Sequence, residues 1–129
     1  MNEAGACAAK IRSFRDLEIW KRGISLVEAV YKATEDFPRQ EAFGLTGQIR
    51  RAAVSIPSNV AEGFARYHGK EYTQFLYIAM GSCAELSTQL DIALRLGYLD
   101  AKRSVALLDE VEQISKMTMG LVKKLKARD

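Results

Sequence analysis

A chain of 129 residues has the length of one domain, and its 48% apolar and 27% charged residues are those of an ordinary globular protein rather than a fibrous or disordered one. Its net charge of +3 permits a nucleic-acid partner without requiring one. No apolar run approaches the ~18 residues of a membrane span, which excludes a membrane partner. The start, MNEAGACAAKIRS, has an early Glu3 and no sustained apolar stretch, which argues against a secretory signal. Cys7 and Cys83 show neither metal nor redox spacing and fit a reducing cytoplasm.

Residues 1–12 are Ala-, Gly- and polar-rich and read as a flexible tail; residues 13–129 read as a single domain. Ser13 and Asp16 have capping-box spacing, so a first helix is expected from there to about Glu35. Leu17, Trp20, Ile24, Val27 and Tyr31 form its apolar stripe, with Trp20 as a core anchor rather than a stacking platform. Phe37-Pro38 breaks the chain, because a residue before proline avoids the helical region. A second helix follows from about Gln40 to Ala65.

That second helix carries Pro57 in its interior. The proline lacks an N–H and its ring crowds the Ala53 carbonyl, so a kink is expected at a cost of about 3 kcal/mol, offset in part by Ser55, Ser58 and Asn59 bonding to freed backbone groups. Leu45, Ile49, Ala52, Ile56, Val60 and Gly63 share its apolar side. Gln48, Arg51, Ser55, Ser58, Glu62 and Arg66 form a polar stripe, and Gly47, Val54, Ala61 and Ala65 a face of small residues.

Tyr67-His68-Gly69 is the next break. The third helix, about Lys70 to Leu96, has a heptad seam of Tyr72, Leu76, Ala79, Cys83, Leu86, Leu90 and Ala93, widened by Phe75, Ile78 and Leu94. Gly97 closes it and Asp100 caps a fourth helix, about Ala101 to Lys126, with Leu107, Val111, Ile114, Thr118, Leu121 and Leu125 on its seam. Four long helices with short connections predict an all-α, antiparallel up-down-up-down four-helix bundle, its second helix kinked at Pro57.

The stretch QIRRAAVSIPSNVAEGFAR (48–66) closely resembles the four-helix-bundle, or S23, proteins, many of which are encoded in intervening sequences of bacterial 23S rRNA genes. FRDLEIWKR (14–22), FPRQEAFGL (37–45), EYTQFLYIAMGSCAELSTQL (71–90) and LGYLD (96–100) match in order, so the resemblance covers roughly residues 13–126. It implies a compact bundle that assembles as a homo-oligomer, a homopentameric ring being favoured. More distant relatives of this shape serve as basic accessory proteins to reverse transcriptases.

Residue chemistry points away from catalysis. A di-iron bundle needs Glu-x-x-His on two helices, and His68, the single histidine, falls in a predicted loop. Cys83 sits on an apolar seam as a structural thiol, and Gly44 and Gly47 lack phosphate-loop spacing. No catalytic residue, metal site or cofactor is expected. Arg51, Ser55, Asn59 and Glu62 are expected to form a polar network beside the kink, Glu62 pairing with an arginine and Asn59 with backbone. The alternative reading turns Arg51 toward a phosphate, with Arg50, on another face, the freer residue for a partner.

Residues 115–129 hold Lys116, Lys123, Lys124, Lys126 and Arg128 against Asp129 alone, so the excess positive charge lies in the last fifteen positions. Two functions follow. One is a nucleic-acid-binding oligomer, for structured RNA without strong sequence specificity, using Arg50, Arg51, Arg66, Lys123, Lys124 and Lys126. The other is an oligomeric scaffold for a protein partner, with no nucleic-acid role.

Overall fold

The computed structural model describes residues 10–66 and 68–128. The expectations for Cys7, for the tail up to residue 9, for Tyr67 and for Asp129 lie outside the described residues. Four α-helices make up the molecule: α1 (Glu18–Ala33), α2 (Leu45–Arg66), α3 (Gly69–Arg95) and α4 (Ala101–Arg128). α1 packs on α2 and α4, α2 on α3, and α3 on α4, which closes a four-helix bundle. Ser55 of α2 meets Ser82 of α3, while Gly63, further along α2, meets Tyr72 and Phe75 near the start of α3; contacts therefore advance in opposite directions along the two helices.

The capping box forms, but it caps a 3₁₀ turn (Phe14–Asp16) rather than α1. The Asp16 carboxylate accepts from the Arg12 and Ser13 N–H groups at 2.8 and 3.1 Å, and Leu17 then adopts an extended conformation before α1 begins. α2 likewise starts later than expected. A 3₁₀ turn (Arg39–Glu41) follows Pro38, and the Glu41 carboxylate accepts the Leu45 N–H at 3.0 Å, acting as the cap of α2.

The buried stripe of α1 differs from the expected one. Ile19, Gly23, Leu26, Val30 and Ala33 face inward, whereas Ile24 and Tyr31 are exposed and Trp20 and Val27 half-buried. Gly23 sits at the closest approach of this face to α2. A Cβ there would lie 3.2 Å from the Pro57 Cβ, so hydrogen alone lets α1 approach the proline ring. Pro57 is buried inside a helix that continues through it to Arg66.

On α2 the expected apolar side is buried from Ile49 through Gly63, with Leu45 partly so. On α3 every residue of the expected seam is buried, but Ile78 and Leu94 are exposed and Phe75 is half-buried; Thr73, Ser82 and Gln89 occupy the second inward row instead. α3 ends as expected: Gly97 has φ 79°, and the Tyr98 N–H donates to the Ala93 carbonyl at 2.9 Å. Asp100 caps α4 through the Arg103 N–H at 2.8 Å. Val122 takes the buried place expected of Leu121.

The core has two layers. The larger runs through Leu26, Val30, Ile49, Ile56, Leu86, Leu90 and Ile114; the smaller, at the end holding the start of α1, gathers Ile19, Val60, Tyr72, Leu76, Val122 and Leu125. Arg22 clamps α1 to α4 with two hydrogen bonds to Glu110 at 2.7 and 2.8 Å, which hold its guanidinium firmly protonated.

Candidate nucleic-acid interface at one end of the bundle

The bundle gathers the start of α1, the end of α2, the start of α3 and the end of α4 at one end. Segments 10–18, 62–71 and 120–128 place nine cations there (Lys10, Arg12, Arg15, Arg66, Lys70, Lys123, Lys124, Lys126 and Arg128) against four carboxylates (Asp16, Glu18, Glu62 and Glu71). These carboxylates are already engaged. Asp16 is held by backbone N–H groups, which lower its pKa, Glu18 pairs with Lys21 at 3.8 Å, and Glu62 and Glu71 both face Arg66. Lys10, Lys70, Lys123, Lys124 and Arg128 consequently hold no carboxylate partner among the described residues, and Arg12 forms no ion pair, its N–H alone bonding Asp16. Lys126 lies 5.3 Å from the Tyr77 ring centre, and Arg15 covers Phe14 at 4.7 Å. The opposite end balances its charges: Lys32, Arg39, Arg95, Lys102 and Arg103 sit among Glu35, Asp36, Glu41, Asp91 and Asp100.

The six residues expected to bind nucleic acid fall into two groups. Lys123, Lys124 and Lys126 lie on the basic end. Arg66 is there too, but its guanidinium is bonded to Glu62 at 2.9 Å and stacked 5.3 Å from the Phe75 ring centre, so much of its charge is compensated. Arg50 and Arg51 lie toward the other end, about 22 Å from Arg66 along α2 at 1.5 Å per residue.

Arg50 is not the freer of the pair. It donates to Thr34 Oγ1 at 2.9 Å and to the Tyr31 carbonyl at 3.4 Å, and its guanidinium stacks 4.4 Å from the Tyr31 ring centre. Arg51 is the exposed one, without a hydrogen bond or ion pair among the described residues. Its guanidinium leans over Gly47, one turn back, because helical side chains point toward the N-terminus.

The expected polar network forms in part. Asn59 Nδ2 donates to the Ser55 carbonyl at 2.8 Å and to Ser55 Oγ at 2.9 Å, and the Ser55 and Ser82 hydroxyls share a hydrogen bond of 2.8 Å. This network ties α2 to α3 beside Pro57. Arg51 and Glu62 do not join it: Glu62 takes Arg66 one turn on, the favoured acid-before-base order on a helix. Ser82 of α3, which completes it, has no signal within the α2 sequence.

Lys10, Arg12 and Lys70 are members of the basic end that lie far along the chain from the C-terminal cluster. Superposing helix ends of an up-down bundle collects them. Nucleophilic chemistry gains no support from the structure. Cys83 is buried and its thiol pKa is pushed up to about 11 by desolvation, far from a thiolate at neutral pH. His68 is exposed at the start of α3. Among the described residues, no cluster of His, Cys, Asp and Glu could hold a metal ion, and no helix is long and apolar enough to cross a membrane.

Fold and charge together define an all-helical four-helix bundle with one basic end. The model of the 23S rRNA-intervening sequence protein family matches residues 15–120, and the chain belongs to that family. A crystal structure at 1.70 Å of a protein of unknown function from the S23 ribosomal protein family of Bacteroides thetaiotaomicron VPI-5482 shares the fold. It superposes with a TM-score of 0.73 at 19% identity, covering 81% of this chain and 98% of that one. No curated protein matches.

Proposed function

We propose that this protein is a non-enzymatic, homo-oligomeric bundle of the cytoplasm that binds structured RNA through its basic end, without strong sequence specificity. One observation carries the reading: cations from three separate segments converge on one end while the carboxylates there are already occupied. Such a surface attracts phosphates by counterion release and reads no bases. Lys123, Lys124 and Lys126 are its centre; Arg50 and Arg51 fall outside it.

Self-association draws support from the outer groove between α1 and α2. Trp20, Ile24, Val27, Val54 and Ala61 line it, and beyond it Tyr31, Gly47 and Arg51 line a second hollow. Phe43, 99% exposed at the nearby corner before α2, adds a large apolar side chain with no cover in the single chain. A ring of copies, a pentamer by the family resemblance, multiplies the basic end and with it the avidity for RNA.

Fluorescence anisotropy with a labelled structured RNA, at about 50 and 200 mM salt, tests the reading. Micromolar or tighter binding that weakens steeply with salt is expected, with Lys123→Gln/Lys124→Gln/Lys126→Gln flattening that dependence while helicity and melting are retained. No binding at the lower salt overturns it and leaves the scaffold for a protein partner as the better account.

A further inference from the structure

Within the basic end lies a cleft of about 280 Å³ between the start of α1, the end of α2, the start of α3 and the end of α4. Its floor is apolar: Leu17, Phe64, Leu121 and Leu125, with Tyr72 standing edge-to-face against Phe64 at 6.1 Å. Its rim is cationic: Lys124 and Arg128, one helical turn apart on α4.

Tyr72 provides a second, independent observation. Its ring is buried, and its hydroxyl, which has no hydrogen-bond partner among the described residues, is not sealed from solvent and lines the cleft. Burial pushes its pKa up to about 12 and the Arg128 guanidinium acts on it in the opposite sense, so the phenol stays protonated at neutral pH; both side chains line the cleft.

We propose that this cleft binds one nucleoside monophosphate group, with the base on the apolar floor and the phosphate held by Lys124, Arg128 and the Tyr72 hydroxyl. The inference deepens the nucleic-acid reading and rests on it. Three donors around one rim suit a phosphate, whether the dianion of a free nucleotide or the monoanionic diester of a strand, and the volume admits a ring system rather than a long acyl chain. Lys70 and Lys123, exposed and without an ion pair among the described residues, add to the positive field of this end, which favours the phosphates flanking an unstacked nucleotide. The group can come from a free nucleotide or from an unpaired residue of an RNA strand.

The test follows backbone amide NMR shifts of the full chain during titration with AMP, adenosine and inorganic phosphate in parallel. AMP should shift Leu17, Tyr72 and Leu125 saturably and leave Ser55 and Tyr98 unmoved. Adenosine and phosphate should each bind about tenfold more weakly, because each keeps only half of the contacts. Lys124→Gln/Arg128→Gln should abolish the AMP shifts, and Tyr72→Phe should weaken them about fivefold with the fold intact. AMP that leaves the cleft unmoved, or phosphate that binds as tightly as AMP, overturns the proposal. The RNA arm separates the two readings. A single-stranded oligoribonucleotide binding about tenfold tighter than its duplex identifies the strand as the source. RNA bound with a steep salt dependence but no AMP shift removes the cleft and leaves the basic end standing. AMP shifts without RNA affinity at about 50 mM salt make the free nucleotide the ligand and remove the polymer reading.

Discussion

Gly63, Gly81 and Gly120 are all helical glycines, and the same substitution should move them in opposite directions. Replacing a helix-interior glycine by alanine gains about 1 kcal/mol of propensity when nothing else changes. At Gly81 and Gly120 an added Cβ meets nothing within 4 Å, so Gly81→Ala and Gly120→Ala should each stabilise by nearly that amount. At Gly63 the Cβ would stand 3.0 Å from the Phe75 Cβ, 3.1 Å from the Tyr72 Cδ1 and 3.1 Å from the Tyr72 carbonyl oxygen. The oxygen belongs to a helix backbone and cannot swing away. Overpacking of this kind costs about 1–3 kcal/mol, so after the propensity gain Gly63→Ala should lose about 1 kcal/mol. The gap between Gly63→Ala and Gly81→Ala is then about 2 kcal/mol, or roughly 6–10 °C in melting temperature for a domain of this size. Urea unfolding at one protein concentration measures it, with equal m-values required before midpoints are compared. Gly63→Ala as stable as Gly81→Ala would refute the claim that α2 and α3 meet backbone to backbone at this position.

Three further outcomes are expected. Cys83 has a folded-state pKa of about 11 against an ordinary 9.0, so the unfolded chain loses the thiol proton first and stability should fall from about pH 9 toward pH 11 by up to ~1.4 kcal/mol per pH unit. Denaturant titrations of Cys83→Ala should show a shallower alkaline slope. Arg50→Gln should cost about 1–2 kcal/mol, because it breaks the bond to Thr34 and the stack on Tyr31, whereas Arg51→Gln should leave the unfolding midpoint within about 0.5 kcal/mol of the parent. Phe43→Ser should leave the secondary structure unchanged while lowering the mass measured by analytical ultracentrifugation; an unaltered mass removes Phe43 from the self-association surface.

The six expected binding residues show where reading along the chain stops. Lys123, Lys124 and Lys126 stand out because they are close in sequence. Their companions Lys10, Arg12 and Lys70 lie more than fifty residues away along the chain and join them only when the helices turn back on one another. Arg50 and Arg51 differ by one position, and nothing local distinguishes them. Thr34 and Tyr31, residues of another segment, decide that Arg50 is the tied one.

What the sequence by itself determined were features set within a turn or two of chain. The heptad seam of α3 is buried in full, Gly97 takes the left-handed conformation, and Asp100 caps α4, since periodicity and end chemistry are local. Tertiary structure alone decided the rotation of α1. Its sequence carries two apolar stripes, and the packed structure turns Ile19, Leu26 and Val30 inward, with Gly23 close against Pro57, and leaves Ile24 and Tyr31 on the surface. The basic end is of the same kind. Charge is written residue by residue, but the field it makes depends on distances that folding sets.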